Sequence, residues 1–219
     1  MARFMGDSFL NMANKLHNSE VGIFTTIHGE KTILDQLVND INEYGSNAVN
    51  IRLRSKSTKL SSLIIVSDED FEIKEKIMAR EILNESLLAN IPILCINWGM
   101  YLFNSFFGGG DPILMKDHHQ HNGENFKHPV FISPGGKLSY TIGGSGWVTI
   151  PSEHKFGLSH KELSSKLIST VYSEDMILHG IELPGKNWVV GVQWQAHKIH
   201  DNPKGFDNLL RYISDIPKI

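Results

Sequence analysis

The feature that most constrains this sequence is an apolar run that ends in a sharp turn and continues as an apolar helix. Residues 91–96 (Ile-Pro-Ile-Leu-Cys-Ile) are almost wholly apolar, as expected for a strand covered on both faces of a sheet. Gly99 follows at the turn, where a helix must pack closely on the sheet. The apolar residues of that helix are Met100, Leu102, Phe103, Phe106 and Phe107. Such a strand–turn–helix exposes the nucleophile in many α/β enzymes, but it is also typical of an ordinary strand-to-helix connection.

Strands and helices alternate over the first half of the chain. The hydrophobic pattern predicts strands at 21–26, 47–53, 60–66 and 91–97, and helices at 30–44 and 71–89. This alternation predicts an α/β fold with a mostly parallel, doubly wound central sheet and helices on both faces.

The second half of the chain has a different character. Short strands are predicted at 130–132, 138–142, 147–150, 167–173, 177–183 and 188–194, with Gly, Pro and Ser between them, which indicates an antiparallel extension of the sheet. A helix is predicted at 205–214, because Phe206, Leu209, Leu210 and Ile213 recur at helical spacing. We therefore expect an N-terminal arm over residues 1–19 and a single domain over residues 20–219.

Composition limits the classes of function. A chain of 219 residues that is 41% apolar suits one domain with a substantial core. The net charge of −3 argues against a nucleic-acid partner. A single Cys excludes an internal disulfide framework and suits a reducing cytoplasm, and no apolar run is long enough to span a membrane. We expect a cytoplasmic protein with neither a nucleic-acid nor a membrane partner.

The strand–turn–helix resembles the nucleophile elbow of class I glutamine amidotransferases, and most closely that of the γ-glutamyl-γ-aminobutyrate hydrolase branch (peptidase C26). The shared residues are Pro92, Ile93, Leu94, Ile96, Gly99, Met100 and Asn104, followed by Gly108 and Gly109. In that family the strand and the turn have the sequence P-I-L-G-I-C-R-G-M-Q. The resemblance therefore places Asn97 at the position of the catalytic cysteine and Cys95 at that of a glycine.

The resemblance continues along about residues 20 to 215. The further matching segments are Ala79-Arg80-Glu81, His128-Pro129-Val130 with Gly135 and Leu138, Ser152-x-His154, and Gly191-Val192-Gln193-Trp194. Together they imply the flavodoxin-like fold of class I glutamine amidotransferases.

The resemblance also implies that the catalytic triad is degenerate. The family's G-V-Q-W-H-P-E carries the base and its carboxylate, whereas this chain reads Gly191-Val-Gln-Trp-Gln-Ala-His197. Gln195 thus replaces the histidine and His197 replaces the glutamate. A carboxamide at Asn97 cannot form a thioester, and the amide of Gln195 does not titrate. No catalytic residue is expected to be intact at these positions, which we expect to cluster into a polar network within a narrowed cleft.

The loop after the third strand departs from the family as well. The family has a glycine-rich loop there that helps to bind the oxyanion, whereas this chain has Ser67-Asp68-Glu69-Asp70. Acidic side chains oppose a developing negative charge. The local pattern also suits a helix start, with Ser67 or Asp68 as the N-cap of the next helix.

Other candidate sites are weaker. Trp98 and His154 are candidate ligand-binding residues beside the old catalytic position, although His154 equally suits a structural role. The cluster His118-His-Gln-His121, with His128 beyond, has loose spacing for a metal and no cysteine, so we predict neither a metal nor a cofactor. The basic segment 52–59 could hold an anion, but its pattern favours a solvated loop.

Two classes of function remain open from the sequence. The first is a catalytically inactive binding or regulatory module, with either a small γ-glutamyl or amino-acid ligand or a protein partner. The alternative is an active γ-glutamyl hydrolase or glutaminase whose chemistry has moved to Cys95, His154, His197 or the histidines at 118–121.

Overall fold

The computed structural model describes residues 20–27, 31–53, 59–115, 127–151 and 154–214. Within these ranges the chain forms a nine-stranded mixed sheet with helices packed against it, and a separate two-stranded sheet. The predicted N-terminal arm (1–19), most of the basic segment (54–58) and the histidine cluster at 118–121 lie outside the described residues.

The strands and helices have the following bounds. The strands are β1 (Glu20–Phe24), β2 (Asn47–Asn50), β3 (Ser62–Ser67), β4 (Ile93–Asn97), β5 (Ile113–Leu114), β6 (Lys127–Ile132), β7 (Gly146–Pro151), β8 (Phe156–Gly157), β9 (Ile168–Ser173), β10 (Leu178–Glu182) and β11 (Val189–Val192). The helices are α1 (Lys31–Glu43), α2 (Ile73–Leu88), α3 (Trp98–Phe106), α4 (Lys137–Ile142) and α5 (Asn208–Ser214), with a 3-10 turn at Ile51–Leu53.

The large sheet has the order β2-β1-β3-β4-β11-β10-β9-β6-β7. The strands from β2 to β11 run parallel to one another, and each later neighbour pairs antiparallel. The predicted α/β class, with a parallel sheet and an antiparallel extension, is confirmed. Strand β4 lies near the middle of the sheet, between β3 and β11.

The core lies on both faces of this sheet. Successive side chains of a strand point to opposite faces, so β4 sends Leu94 and Ile96 into one hydrophobic cluster and Ile93 and Cys95 into the other. All of these side chains are fully buried. The continuous apolar run is thus explained by burial on both faces.

Gly99 lets helix α3 approach the sheet closely. A Cβ atom at this position would lie only 2.2 Å from the carbonyl oxygen of Ile65 on β3. The turn at the end of β4 therefore tolerates no larger residue without moving the helix.

The predicted strand at 138–142 is wrong, because these residues form α4. The buried carboxylate of Glu182 accepts hydrogen bonds from the backbone N–H groups of Lys137 and Leu138, each at 2.8 Å. It thereby satisfies donors that a helix start leaves open. Gly143, with φ of 85°, ends the helix. This cap comes from a distant strand and has no local signal.

The predicted strand at 47–53 is also too long. Strand β2 ends at Asn50, whose side-chain oxygen accepts a hydrogen bond from the backbone N–H of Arg52 at 3.0 Å. Arg52, which opens the segment predicted as a solvated loop, instead donates to Glu75 at 2.7 Å and to the carbonyl oxygen of Thr25 at 2.6 Å.

In the part of the chain that the structure describes, no helix combines the length and the apolar character needed to cross a membrane.

Candidate active site

The candidate site lies where three parallel strands end side by side. Strands β3, β4 and β11 are neighbours, with Ser67 paired to Asn97 and Val192 paired to Ile96. Ligands of open α/β sheets bind outside the carboxyl ends of such strands. The residues that follow these strands, including Asp68 and Gln195, therefore meet Asn97.

Asn97 retains the backbone geometry of an elbow. It ends β4, precedes α3, and has φ of 53° and ψ of −116°. A positive φ is uncommon for a residue with a side chain, and Asn adopts it more readily than most. The residue is buried, with only 5% of its surface exposed. The strained turn that presents a nucleophile in α/β enzymes here presents a carboxamide.

One carboxylate joins the two amides. Asn97 donates its Nδ2–H to Oδ1 of Asp68 at 3.0 Å, and Gln195 donates its Nε2–H to Oδ2 of Asp68 at 3.2 Å. The structure therefore brings Asn97 and Gln195 together, as expected, but through a third residue. No pattern in the sequence indicated this role for Asp68.

The predicted N-cap at Ser67 or Asp68 is wrong. The hydroxyl of Ser67 donates to the carbonyl oxygen of Glu69 at 2.6 Å and accepts from the Glu69 N–H at 3.1 Å, so it closes its own turn. Helix α2 begins at Ile73 after Glu72, whose N–H donates to the Glu75 carboxylate at 2.9 Å. The side chain of Asp68 does not cap the helix and instead accepts hydrogen bonds from Asn97 and Gln195.

His197 lies beside this network but does not hydrogen-bond within it. Its side chain is fully buried, and neither ring nitrogen has a hydrogen-bond partner among the described residues. The expected hydrogen bond from His197 to the amides is therefore not formed. Burial lowers the pKa of His197 to about 4, although the charge of Asp68 acts in the opposite direction. At neutral pH the imidazole is uncharged, and its lowered pKa makes it a weak proton acceptor.

We expect His197 to make the protein acid-sensitive. The unfolded imidazole titrates near ~6.5, whereas its folded pKa is about 4, so the unfolded chain binds the proton first as pH falls. Stability is fully present above the unfolded pKa and declines towards pH 4. Between pH 7.5 and 4.5 this group should lower the free energy of unfolding by roughly 2 to 3 kcal/mol.

Urea unfolding at both pH values measures this effect. The loss of stability between the two pH values should be roughly 2 to 3 kcal/mol smaller in His197→Leu than in the wild type. The matched control His160→Leu changes an exposed histidine and should keep the wild-type dependence. An unchanged dependence in His197→Leu would contradict the assignment.

A cavity of about 1240 Å³ opens above the network. Asp68, Asn97 and Gln195 line one part of it. Trp98 packs into the wall of this cavity, and the narrowing of the cleft relative to the family stays a prediction. The Trp98 ring contacts Tyr101 edge-to-face at 5.2 Å between centroids and Phe156 at 5.3 Å.

Both candidate ligand-binding residues line this cavity. Trp98 is half-buried there, and His154 is buried at its edge. The Nδ1 atom of His154 lies 2.7 Å from the carbonyl oxygen of Phe156, which holds the ring in one orientation. The structure thus places the two side chains where they could touch a bound molecule.

Acidic side chains of the cavity lie near Asn97, whereas Arg80 lies farther along helix α3. Asp68 and the exposed Glu69 lie at the Asn97 end. Arg80 reaches the third turn of α3, where it donates to Ser105 at 3.3 Å and lies 5.4 Å from the ring of Phe106. The end of the cavity next to Asn97 is therefore acidic.

The thiol of Cys95 is enclosed in the core and does not line this cavity. It is fully buried in the second hydrophobic cluster, inside β4. Burial raises the pKa of its thiol well above the ordinary range. A neutral thiol enclosed by apolar side chains cannot attack a molecule held above Asn97.

Three histidines pack together near the cavity edge. The ring centroids of His128, His154 and His179 are 5.3 to 5.9 Å apart. Among the described residues no group of side chains is arranged to hold a metal ion. The cluster predicted at 118–121 lies outside that range.

Comparison with known proteins places this geometry in a family. Over 135 residues the chain is 27% identical to a Mycobacterium tuberculosis protein provisionally named a glutamine amidotransferase. The aligned region covers 59% of this chain and 42% of that protein. The chain therefore spans less than half the length of this relative.

Solved structures share the fold. A protein from Thermoplasma acidophilum, described as one of the subunits of GMP synthase, superposes with a TM-score of 0.67 at 16% identity, covering 90% of this chain and 93% of that one. A glutamine amidotransferase from Thermotoga maritima gives 0.60 at 16% identity, covering 83% and 77%. The glutaminase domain of Trypanosoma brucei CTPS gives 0.66 at 10% identity, covering 90% and 93%.

At these identities the structures establish the fold alone, which is that of class I glutamine amidotransferases. The sequence model of one family, described as peptidase C26, matches residues 28–197 and thus includes Asp68, Asn97, Gln195 and His197. The chain belongs to the peptidase C26 family.

Proposed function

We propose that this protein is a non-hydrolytic member of its family that binds a small molecule in the cavity above Asn97. The observation that carries the proposal is the Asp68 carboxylate held between the amides of Asn97 and Gln195. These are the positions where the family resemblance places the nucleophile and its base.

Amide hydrolysis through a thioester requires a nucleophile, a base and donors for the oxyanion. The carboxamide of Asn97 provides no thiolate, and Gln195 cannot take up a proton. Asp68 adds a negative charge within hydrogen-bonding distance of the residue-97 side chain, where an oxyanion would develop. The site around residue 97 therefore lacks the nucleophile and the base, and Asp68 disfavours the oxyanion.

Binding remains feasible because the cavity is retained. Its volume of about 1240 Å³ accommodates a metabolite-sized molecule. Trp98 and Tyr101 provide apolar contact, while Asp68 and Gln195 provide polar contact. We propose a small γ-glutamyl or amino-acid-like ligand, with a regulatory role in the cytoplasm. A protein partner that docks over the cavity is the alternative that stays open if none of these small molecules binds.

Turnover is the first test. The purified protein is incubated with glutamine and with γ-glutamyl-γ-aminobutyrate, and release of ammonia and glutamate is followed. We expect no release above a heat-inactivated sample. Saturable turnover that is lost in Cys95→Ala or His154→Ala would contradict the proposal and establish relocated catalysis.

Ligand binding is the second test. Thermal denaturation is recorded with and without millimolar glutamine, glutamate and γ-glutamyl amines. A ligand present at about 100 times its dissociation constant adds about 2.7 kcal/mol to the free energy of unfolding, which is readily detected. The absence of any shift would remove the small-molecule form of the proposal.

A further inference from the structure

We propose that a second cavity, at the opposite end of the sheet from Asn97, binds an anion that carries an aromatic ring. This site does not depend on the proposed function, because it shares no lining residue with the cavity above Asn97. Its ligand is a planar ring that bears a phosphate or a carboxylate.

The second cavity lies where strands β4 and β11 begin. Trp188 lines it, and the carbonyl oxygen of Trp188 accepts a hydrogen bond from the backbone N–H of Ile93 at 2.8 Å. Ile93 is the first residue of β4 and Asn97 is the last, so about 13 Å of extended chain separates the two ends. The volume of about 560 Å³ suits a molecule of the size of a mononucleotide.

The first argument is the aromatic wall of this cavity, formed by Tyr140, Trp188 and Tyr212. The rings of Trp188 and Tyr212 are stacked, with centroids 4.6 Å apart and planes at 25°. The Nε1–H of Trp188 also donates to the hydroxyl of Thr141 at 3.1 Å, which fixes the indole. These contacts hold two of the rings in place.

The third ring is available to a ligand. Tyr140 is 85% exposed, and in the described part of the chain no other aromatic ring contacts it. A planar ligand can therefore pack against Tyr140, by the offset or edge-to-face contacts that aromatic rings prefer.

The second argument is the charge of the cavity. Among the described residues, the charged side chains that line it are Lys137 and Lys186, and no carboxylate lines it. The carboxylate of Glu182 is buried behind this wall, and its two oxygens accept hydrogen bonds from the N–H groups of Lys137 and Leu138. A ligand in the cavity therefore meets ammonium groups.

The third argument is the state of these two ammonium groups. That of Lys137 donates to the carbonyl oxygen of Leu183, which uses one of its three N–H donors. Burial lowers the pKa of Lys137, although the charge of Glu182 acts in the opposite direction. Lys186 is exposed and makes no ion pair among the described residues. A phosphate or carboxylate beside them would form charge-assisted hydrogen bonds.

The test uses two sets of probes that carry ring and charge together or separately. The first set is adenosine monophosphate, adenosine and inorganic phosphate, and the second is para-hydroxybenzoate, para-hydroxybenzamide and acetate. Binding is measured by isothermal titration calorimetry at pH 7.5 and low salt. In at least one set the aromatic anion should bind at least about ten-fold more tightly than either of the other two probes. The set that shows this preference identifies the anion as phosphate or carboxylate.

Variants locate the binding. Lys186→Gln and Tyr140→Ala change exposed side chains of the second cavity. Each should weaken binding of the preferred aromatic anion at least about three-fold, as for an exposed ion pair or ring contact. The matched control Lys74→Gln removes an exposed lysine of α2 that lines neither cavity, and it should leave the affinity unchanged. Circular dichroism confirms that each variant is folded.

The inference is overturned if neither set shows the preference, which includes binding of none of the probes. It is also overturned if the affinity of the preferred aromatic anion is unchanged in Lys186→Gln or in Tyr140→Ala. Turnover of glutamine would contradict the proposed function and would leave this inference to the probe series.

Discussion

The variant Asn97→Cys/Gln195→His/His197→Glu is expected to hydrolyse glutamine at least about 100-fold more slowly than the same variant with Asp68→Gly added. The triple variant restores the nucleophile, base and carboxylate that the family resemblance requires. It leaves Asp68, which in the wild type lies 3.0 Å from the side chain of residue 97. A single lost oxyanion donor costs about 100-fold to 1000-fold in rate, and a carboxylate at that place adds repulsion.

The effect of the Asp68 carboxylate can be separated from the effect of removing any negative charge from this loop. The matched control adds Glu69→Gly to the triple variant, which removes an exposed neighbour of Asp68. This control should remain as slow as the triple variant. Rates are compared under saturating glutamine, after thermal denaturation shows that all variants are folded. If the triple variant alone reached the rate of the quadruple variant, the role assigned to Asp68 would be wrong.

Gly99→Ala is expected to destabilise the fold by about 3 kcal/mol, at the upper end of the usual cost of overpacking. The added methyl would lie 2.2 Å from the carbonyl oxygen of Ile65 and 2.9 Å from its carbonyl carbon. Both atoms belong to the backbone of β3 in the centre of the sheet, so rotation of a side chain cannot relieve the clash. The measurement is the free energy of unfolding in urea.

Gly144→Ala is the matched control for this prediction. Gly144 has no atom within 4 Å of the corresponding Cβ position, so the same substitution meets open space there. We expect a change of no more than about 0.5 kcal/mol, as for ordinary surface substitutions. A similar small change in Gly99→Ala would show that α3 does not pack on β3 as closely as described.

The strand–turn–helix was predictable because its signal is local. The apolar run at 91–96 requires burial on both faces, and Gly99 requires close packing, whatever the rest of the chain does. The same holds for the alternation of strands and helices that confirms the α/β class. The short helix Lys137–Ile142 was not predictable in this way, since the carboxylate that caps it belongs to Glu182, on a distant strand.

The candidate site was predictable only in part. The family motifs singled out Asn97 and Gln195, which the fold brings to neighbouring strand ends. Asp68 was assigned to a helix cap, because a short acidic segment before a helix is typical of one. Its true contacts depend on the adjacency of β3, β4 and β11, which no local pattern specifies. The packing of Trp98 against Phe156 was not predictable either, since Phe156 lies far along the chain.

We propose that no described residue lining the cavity is a nucleophile able to attack a glutamine carboxamide. The most direct measurement is the intact mass of the protein after incubation with a glutamine analogue that carries a chloromethyl ketone in place of the carboxamide. Such an electrophile forms a stable bond with a nucleophile in the cavity. We predict an unchanged mass for the wild type and a single adduct for Asn97→Cys. A stoichiometric wild-type adduct that excess glutamine prevents, at Cys95 or at any residue lining the cavity, would contradict the claim.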